Sequence, residues 1–237
     1  MTPAILRDFR TYSKHALLIK DQHGGRVLPL VLNPMQDVIE GAIDKARQEG
    51  RPPRIAILKP RRLGVSTGVG ARFFFETATR KYQQGLVVAH RGNAVRKIFA
   101  IYERFWSNLP TIGGVNLKPK RVGARGAEMY YPDLDSGIYV ESASGDIRAG
   151  EAQRVHLSEL GFVKEPEELL AAVMPYVPKT PDSCVVIETS VERIPDVGLT
   201  LVADVPTTDV LATLSVFVEI LPTRRVCPGT PFGRFGR

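Results

Sequence analysis

The sequence predicts an α/β fold built on a mainly parallel sheet flanked by helices. Three observations carry this. Short, continuously apolar runs alternate with helix-period segments from residue 55 to residue 190. Polar residues gather where those apolar runs end, which is where an open parallel sheet binds its ligand. Ile55-Ala56-Ile57-Leu58-Lys59-Pro60-Arg61-Arg62-Leu63-Gly64-Val65-Ser66-Thr67 reads as a buried strand, a tight basic loop and the start of a helix, an order that builds an anion site.

Residues 1–32 mix basic residues with short apolar runs, and Gly24-Gly25 before Val27-Leu28-Pro29-Leu30 suggests a small hairpin or extended arm. Asn33 then caps a helix with Pro34 at its first position, and Val38, Ile39, Ala42, Ile43 and Ala46 follow at helical spacing until Gly50. After the basic loop a helix is expected over Thr67 to Thr79. Gly85-Leu86-Val87-Val88-Ala89-His90 is a second buried strand. Ala94 to Asn108 is a helix with Val95, Ile98, Phe99, Tyr102, Phe105 and Trp106 on one side as a core stripe.

Residues 110–126 hold Lys118, Lys120, Arg121 and Arg125 and no acid, and form either a phosphate-contacting or a merely solvated loop. Glu128 to Tyr131 and Ile138 to Glu141 flank a turn-forming centre and read as a hairpin. Ser142 to Gly150 is a small-residue loop with Arg148. Arg154-Val155-His156-Leu157 is a strand leading to Ser158-Glu159, Pro166 to Met174 a helix with acids in its first turn, and Cys184-Val185-Val186-Ile187 a last buried strand ending at Glu188-Thr189-Ser190.

Composition bounds the function class. With 43% hydrophobic residues and a net charge of +7, the chain reads as a globular protein with a packed core, and the charge fits either a polyanionic partner, nucleic acid or membrane surface, or merely a basic soluble surface. Cys184 and Cys227 make neither a disulfide framework nor a metal spacing, which fits a reducing compartment. Arg7, Asp8 and Arg10 interrupt any signal-peptide core, and Asp204, Pro206 and Asp209 break the most apolar run, Leu199 to Val218, so no membrane span is expected.

Against the Walker A pattern G-x-x-x-x-G-K-[ST], Gly64 falls on the second glycine and Ser66 on the hydroxyl, while Lys59 replaces the first glycine and Val65 the lysine. A cation is still required, and Lys59, Arg61 and Arg62 are the candidates. Alone, the stretch fits equally well a strand-to-helix turn with an incidental basic cluster. Gln36 likewise has two readings, closing a capping box or pairing with an adenine edge. Glu159 follows a hydrophobic strand about a hundred residues after the loop, where a nucleotide hydrolase holds the carboxylate that orients water. Ser158 stands where an aspartate near magnesium is usual; it can hydrogen-bond a metal-bound water but brings no charge. Glu159 taken alone reads better as a strand-end acid facing solvent.

Taken as an ordered set, Gln36, Lys59 to Thr67, Val155 to Leu160 and Ile187 to Ser190 resemble the ATPase domain of the large subunit of tailed-phage terminase, over roughly residues 33–190. The resemblance implies a P-loop NTPase fold of the RecA/ASCE-like kind, with ATP and Mg2+ as ligands and hydrolysis coupled to translocation of double-stranded DNA into a procapsid. It implies that Gln36 reads adenine, that Lys59 with Arg61 or Arg62 holds phosphates within a loop completed by Gly64, Ser66 and Thr67, and that Ser66 binds magnesium with Ser158 acting through water. Glu159 would be catalytic, Arg148 an arginine finger reaching a neighbouring subunit, and Thr189 and Ser190 the coupling residues. An arginine in a loop is otherwise a surface charge. The implied partners are DNA, a portal protein, a small terminase subunit and further copies in a homo-oligomeric ring, in the cytoplasm of the infected bacterial host and not at a membrane. Another P-loop DNA translocase of the helicase group, or an inert truncated fragment, is the alternative.

The expected organisation is an N-terminal arm and adenine-side helix over 1–50, an ATPase core over 51–193 and an irregular, poorly packed tail over 194–237. The tail runs Val191-Glu192-Arg193 in place of the family's small-residue, Asn-Gly continuation, which suggests a truncated or frame-shifted end. From Ile194 onward it offers only Asp196, Asp204, Asp209 and Glu219 before an acid-free stretch from Ile220 to Arg237, so nuclease activity is not expected.

Overall fold

The computed structural model describes residues 4–21, 25–59, 61–123, 126–144, 147, 150–190 and 216–219. After a 3-10 turn at Ala4–Leu6 come α1 (Phe9–Ala16), β1 (Leu18–Lys20), β2 (Val27–Pro29), α2 (Pro34–Gln48), β3 (Arg54–Lys59), α3 (Val65–Thr79), β4 (Gln84–Ala89) and α4 (Gly92–Ser107). The chain continues through the short strands β5 (Thr111–Ile112), β6 (Val115–Asn116) and β7 (Val122–Gly123), then β8 (Glu128–Tyr131), β9 (Ser136–Ser142), β10 (Arg154–Ser158), α5 (Pro166–Val173), β11 (Cys184–Ser190) and β12 (Val216–Glu219).

Among the described residues eight strands form one sheet in the order β12-β3-β11-β10-β4-β9-β8-β7. From β12 to β9 every pair is parallel, and β8 and β7 extend the far edge antiparallel. The alternation of apolar runs and helices thus produces the parallel α/β sheet expected of it, because each crossover helix covers a face of the strands it joins. The expected hairpin forms as β8 and β9, and it also enters the main sheet by pairing β9 with β4.

Side-chain alternation divides the sheet into two faces. Leu86, Val88, Val155, Leu157, Val185 and Ile187 meet Leu169, Leu170 and Val173 of α5 on one side. On the other, Ile55, Ile57, Cys184 and Val186 meet Val69 and Phe73 of α3 and Ile39 and Ile43 of α2. Further along that side Val87 and Ala89 join Phe74, Phe75, Tyr102 and Phe105. The aromatic stripe of α4 is therefore core. Arg154, His156, Ser158 and Glu188 alternate with the α5-facing residues and so share the α3 face, where the Phe73 ring meets His156 edge-on at 6.4 Å.

Three segments depart from expectation, the first being residues 110–126, expected as a loop, which contain β5 and β6 as a small pair and β7 at the edge of the main sheet. Residues 9–16, read from sequence only as part of an arm, form α1, capped by Asp8 accepting from the Thr11 amide at 2.7 Å. Its Tyr12 ring packs 4.9 Å from Phe75. A helix this short is marginal alone and is held by tertiary packing. Val216–Glu219, assigned from sequence to an irregular tail, adds a parallel strand beside β3; the rest of 194–237 lies outside the described residues.

The basic stretch after α4 is pinned to it. Lys118 Nζ sits 4.3 Å from the Trp106 ring centre and donates to Ser107 O at 3.1 Å. The Arg121 guanidinium lies 5.5 Å from Trp106 and 5.6 Å from Phe99. No helix among the described residues is long and apolar enough to cross a membrane.

Candidate functional site

The site lies at the carboxyl ends of β3, β11 and β10, below the start of α3. The turn from β3 into α3 contains two left-handed residues, Arg62 at φ 66° and Gly64 at φ 72°. The second is the helix cap, and glycine adopts that conformation without steric cost. Asn33 and Gln36 of α2 brace the turn from outside. Asn33 Nδ2 donates to Leu63 O at 3.1 Å and Gln36 Nε2 to Gly64 O at 2.8 Å. Gln36 Oε1 accepts from the Asn33 amide at 3.0 Å, completing the capping box. Gln36 thus serves its own helix and the loop here, and it is only 4% exposed. α2 and α3 come this close because Gly68 faces Gln36, whose Cγ would stand 2.8 Å from an added Cβ.

Lys59, the last residue of β3, is buried and lies between two carboxylates. Its Nζ is 3.1 Å from Glu159 Oε1 and 3.6 Å from Glu188 Oε2. Burial opposes its charge, but Glu188 and Glu159 outweigh burial and hold its pKa above the ordinary lysine value. Glu159 follows β10 in a left-handed conformation, φ 57° and ψ 48°, a strained backbone that non-glycine residues keep mainly at functional sites. Its Oε2 accepts from Ser190 N at 3.0 Å and Ser190 Oγ at 2.7 Å. Thr189 Oγ1 accepts from the Gly161 amide at 3.2 Å. Both residues expected to couple therefore contact the turn that carries Glu159.

The residue that sequence reasoning missed is Glu188. Fully buried, its Oε1 accepts from Ser66 Oγ at 2.5 Å and Ser158 Oγ at 3.0 Å, with His156 Nε2 at 3.0 Å. Burial alone would raise its pKa; His156, Lys59 and the Ser66 hydroxyl overcome this and hold the carboxyl down at about 2. A glutamate directly after the apolar run Cys184 to Ile187, in a strand buried along its whole length, is the available signal, since buried carboxylates require partners.

Two cavities adjoin these groups. One of about 210 Å3 is lined by Arg61, His90, Arg91, Glu159, Phe162 and Ser190. The His90 pKa is lowered by burial and by Arg91. The other, about 830 Å3, opens on the far side of the loop and is lined by Met35, Gln36, Leu63, Gly64 and Thr67 among others, with Arg62 and Arg104 at hand. Arg61 thus faces the smaller cavity and Arg62 the larger. Arg148 lies outside the described residues.

Chemically, a carboxylate beside a small polar cavity can orient and deprotonate water. A buried lysine, a loop of amides and a helix start favour an anion. Among the described residues no three His, Cys, Asp or Glu side chains are grouped to hold a metal ion. A hard cation here would draw on hydroxyl, carboxylate, water and ligand oxygens, as magnesium beside phosphates does.

Neither a protein-family model nor a curated protein sequence matches the chain. Among solved structures, the HK97 bacteriophage large terminase superposes with a TM-score of 0.62 at 14% sequence identity, over 88% of this chain. The chain has the fold of a phage large terminase. It spans 42% of the length of the HK97 protein. In this chain β11 lies between β3 and β10, so Lys59 ends one flanking strand, Glu159 follows the other, and the β11 residues Glu188 and Ser190 reach across to them.

Proposed function

We propose that the chain is the ATP-hydrolysing motor unit of a phage terminase, a P-loop NTPase of the RecA/ASCE-like kind that couples hydrolysis to translocation of double-stranded DNA. The observation that carries this reading is the convergence of Lys59, Ser66 and Glu159 at one sheet edge, with Lys59 and Glu159 separated by 100 residues of sequence. In this reading the loop from Lys59 to Thr67 binds the triphosphate, with Lys59 and Arg61 or Arg62 balancing its charge. The larger cavity suits the base and sugar. Gln36 contributes there by shaping the loop through Gly64, and it reads adenine only by giving up its capping contacts.

Ser66 and Ser158 fit a magnesium site because both hydroxyls converge on one buried carboxylate. Bound there, magnesium would neutralise phosphate charge. Glu159 orients water and takes its proton, and Lys59 must shift its pairing from Glu159 toward phosphate for that carboxylate to act. Ser190 and Thr189 report the state of Glu159 to β11, which is the coupling role. Arg148 acts across a subunit boundary in a ring of copies, with DNA, portal protein and small terminase subunit as partners in the cytoplasm of an infected bacterium.

The test is phosphate release from ATP, with and without double-stranded DNA, by the purified chain. DNA-stimulated release supports the motor reading. Nucleotide binding without release marks an inert fragment, and stimulation by single-stranded DNA alone favours a helicase. Mixing Arg148→Ala with Glu159→Gln protein tests the trans role, which restored activity supports and unrestored activity in an intact assembly rejects.

A further inference from the structure

A magnesium ion beside a triphosphate needs a protein carboxylate close to its hydroxyl ligand, since hard cations favour anionic oxygen. Ser158 at the end of β10 has none to offer. The parallel register sets Ser158 directly opposite Glu188, and both side chains occur on the α3 face of the sheet. A charge missing from one strand is therefore present at the same level of the next.

We propose that Glu188 is the positioning residue for magnesium, orienting Ser66 and bringing to the site the negative charge that Ser158 lacks; this rests on the nucleotide reading above. Glu188 Oε1 receives the Ser66 hydroxyl at 2.5 Å. With its proton committed to a carboxylate, the Ser66 oxygen presents lone pairs to a cation and becomes a better donor to it. The Ser158 hydroxyl donates to the same oxygen at 3.0 Å. Glu159 does not do this work, because its oxygens are taken by Lys59 and by Ser190. Glu188 Oε2, in a side chain 0% exposed, has Lys59 Nζ at 3.6 Å and no hydrogen-bond donor among the described residues. When Lys59 turns to phosphate, Oε2 loses its cation while Oε1 keeps His156 and the two hydroxyls, and a divalent cation on Ser66 replaces the charge withdrawn.

The role differs from simple support of the fold in one respect: the charge should be movable between paired strand positions. The experiment titrates a fluorescent ATP analogue into the full chain, in magnesium and in EDTA, for the wild type, Glu188→Gln and the double variant Ser158→Asp with Glu188→Gln. Thermal melts accompany each to report folding. The expected result is that Glu188→Gln reduces the magnesium-dependent gain in affinity, taken as the ratio of affinities in magnesium and in EDTA, by about 10- to 100-fold, and that Ser158→Asp in the same chain restores most of the gain. An undiminished magnesium gain in Glu188→Gln overturns the proposal. So does an equal loss with and without magnesium that Ser158→Asp leaves unrepaired, which would make Glu188 only a clamp on Lys59. Failure of the wild type to bind the analogue at all overturns the nucleotide reading itself, and this proposal with it.

Discussion

Lys59 Nζ and Glu159 Oε1 meet at 3.1 Å across the ends of two strands that a third separates. The cation suited to phosphate and the carboxylate suited to water are thus paired with each other in this state. A phosphate arriving at Lys59 competes for that pairing, so binding and release of the base are linked by one side chain.

Replacing Lys59 with methionine should weaken ATP binding more than Arg62→Ala, because Lys59 is 4% exposed and Arg62 lies on the surface. It should also lower stability by roughly 3 kcal/mol, since the buried Glu188 loses its cation. Nucleotide titration and urea unfolding measure the two effects. Equally negligible binding losses for Lys59, Arg61 and Arg62 alanine variants would argue against a nucleotide site at this loop.

Glu159→Gln keeps an oxygen for Ser190 but loses the ability to accept a proton. ATP binding should persist while kcat falls by about 10²- to 10⁴-fold, the usual worth of a positioned base. Near-normal turnover would remove Glu159 from the chemistry.

Gly68→Ala sets a methyl 2.8 Å from Gln36 Cγ, at the point where α2 and α3 touch. Overpacking of this kind costs about 1–3 kcal/mol. The displaced Gln36 should also release Gly64 O, so loss of stability and weaker ATP binding are expected together. A wild-type melting temperature would show that α2 yields without cost.

At the opposite end of α3, Glu76 is fully buried among arginines. Arg47 Nη1 is 2.7 Å away, Arg72 Nε 3.2 Å and Arg80 Nη1 3.6 Å, and Arg154 Nε also binds it. Burial would raise its pKa, but Arg154, Arg72 and Arg47 reverse this and lower it from 4.5 to about 2. The folded state therefore binds the proton more weakly than the unfolded chain. Its contribution, about 3 kcal/mol, is complete above pH 4.5 and lost as the pH falls toward 2. Glu76→Gln should lower stability at neutral pH by a similar amount and flatten the acid limb of unfolding, measured by urea titration from pH 7 to about 3. An unchanged acid limb would show that other carboxylates govern it.

Much of this architecture is legible from local pattern. Apolar runs at Ile55 to Leu58, Leu86 to Ala89 and Cys184 to Ile187 can satisfy backbone and side chains only inside a sheet covered on both faces. Asn33 followed by Pro34 and Gln36 writes its own helix start, and the Glu128 to Glu141 segment its own turn. The pairing of Lys59, Ser66 and Glu159 as candidates also came from order along the chain, since loop, strand end and helix start recur in that sequence of types.

Local pattern thus sets the kind of each element and the presence of polar groups at strand ends. Which of those groups share a site depends on the strand order. Strand order is set by how helices pack on both faces, and it inserts β11 between β3 and β10 although β11 comes last of the three in the chain. That insertion makes Glu188 the hub of Ser66, Ser158, His156 and Lys59, a role no spacing rule encodes because its partners lie up to 129 residues away. α1 was equally hidden: eight residues carry too little helical propensity to announce themselves, and it is the contact of Phe9 and Tyr12 with Phe75 that makes them a helix.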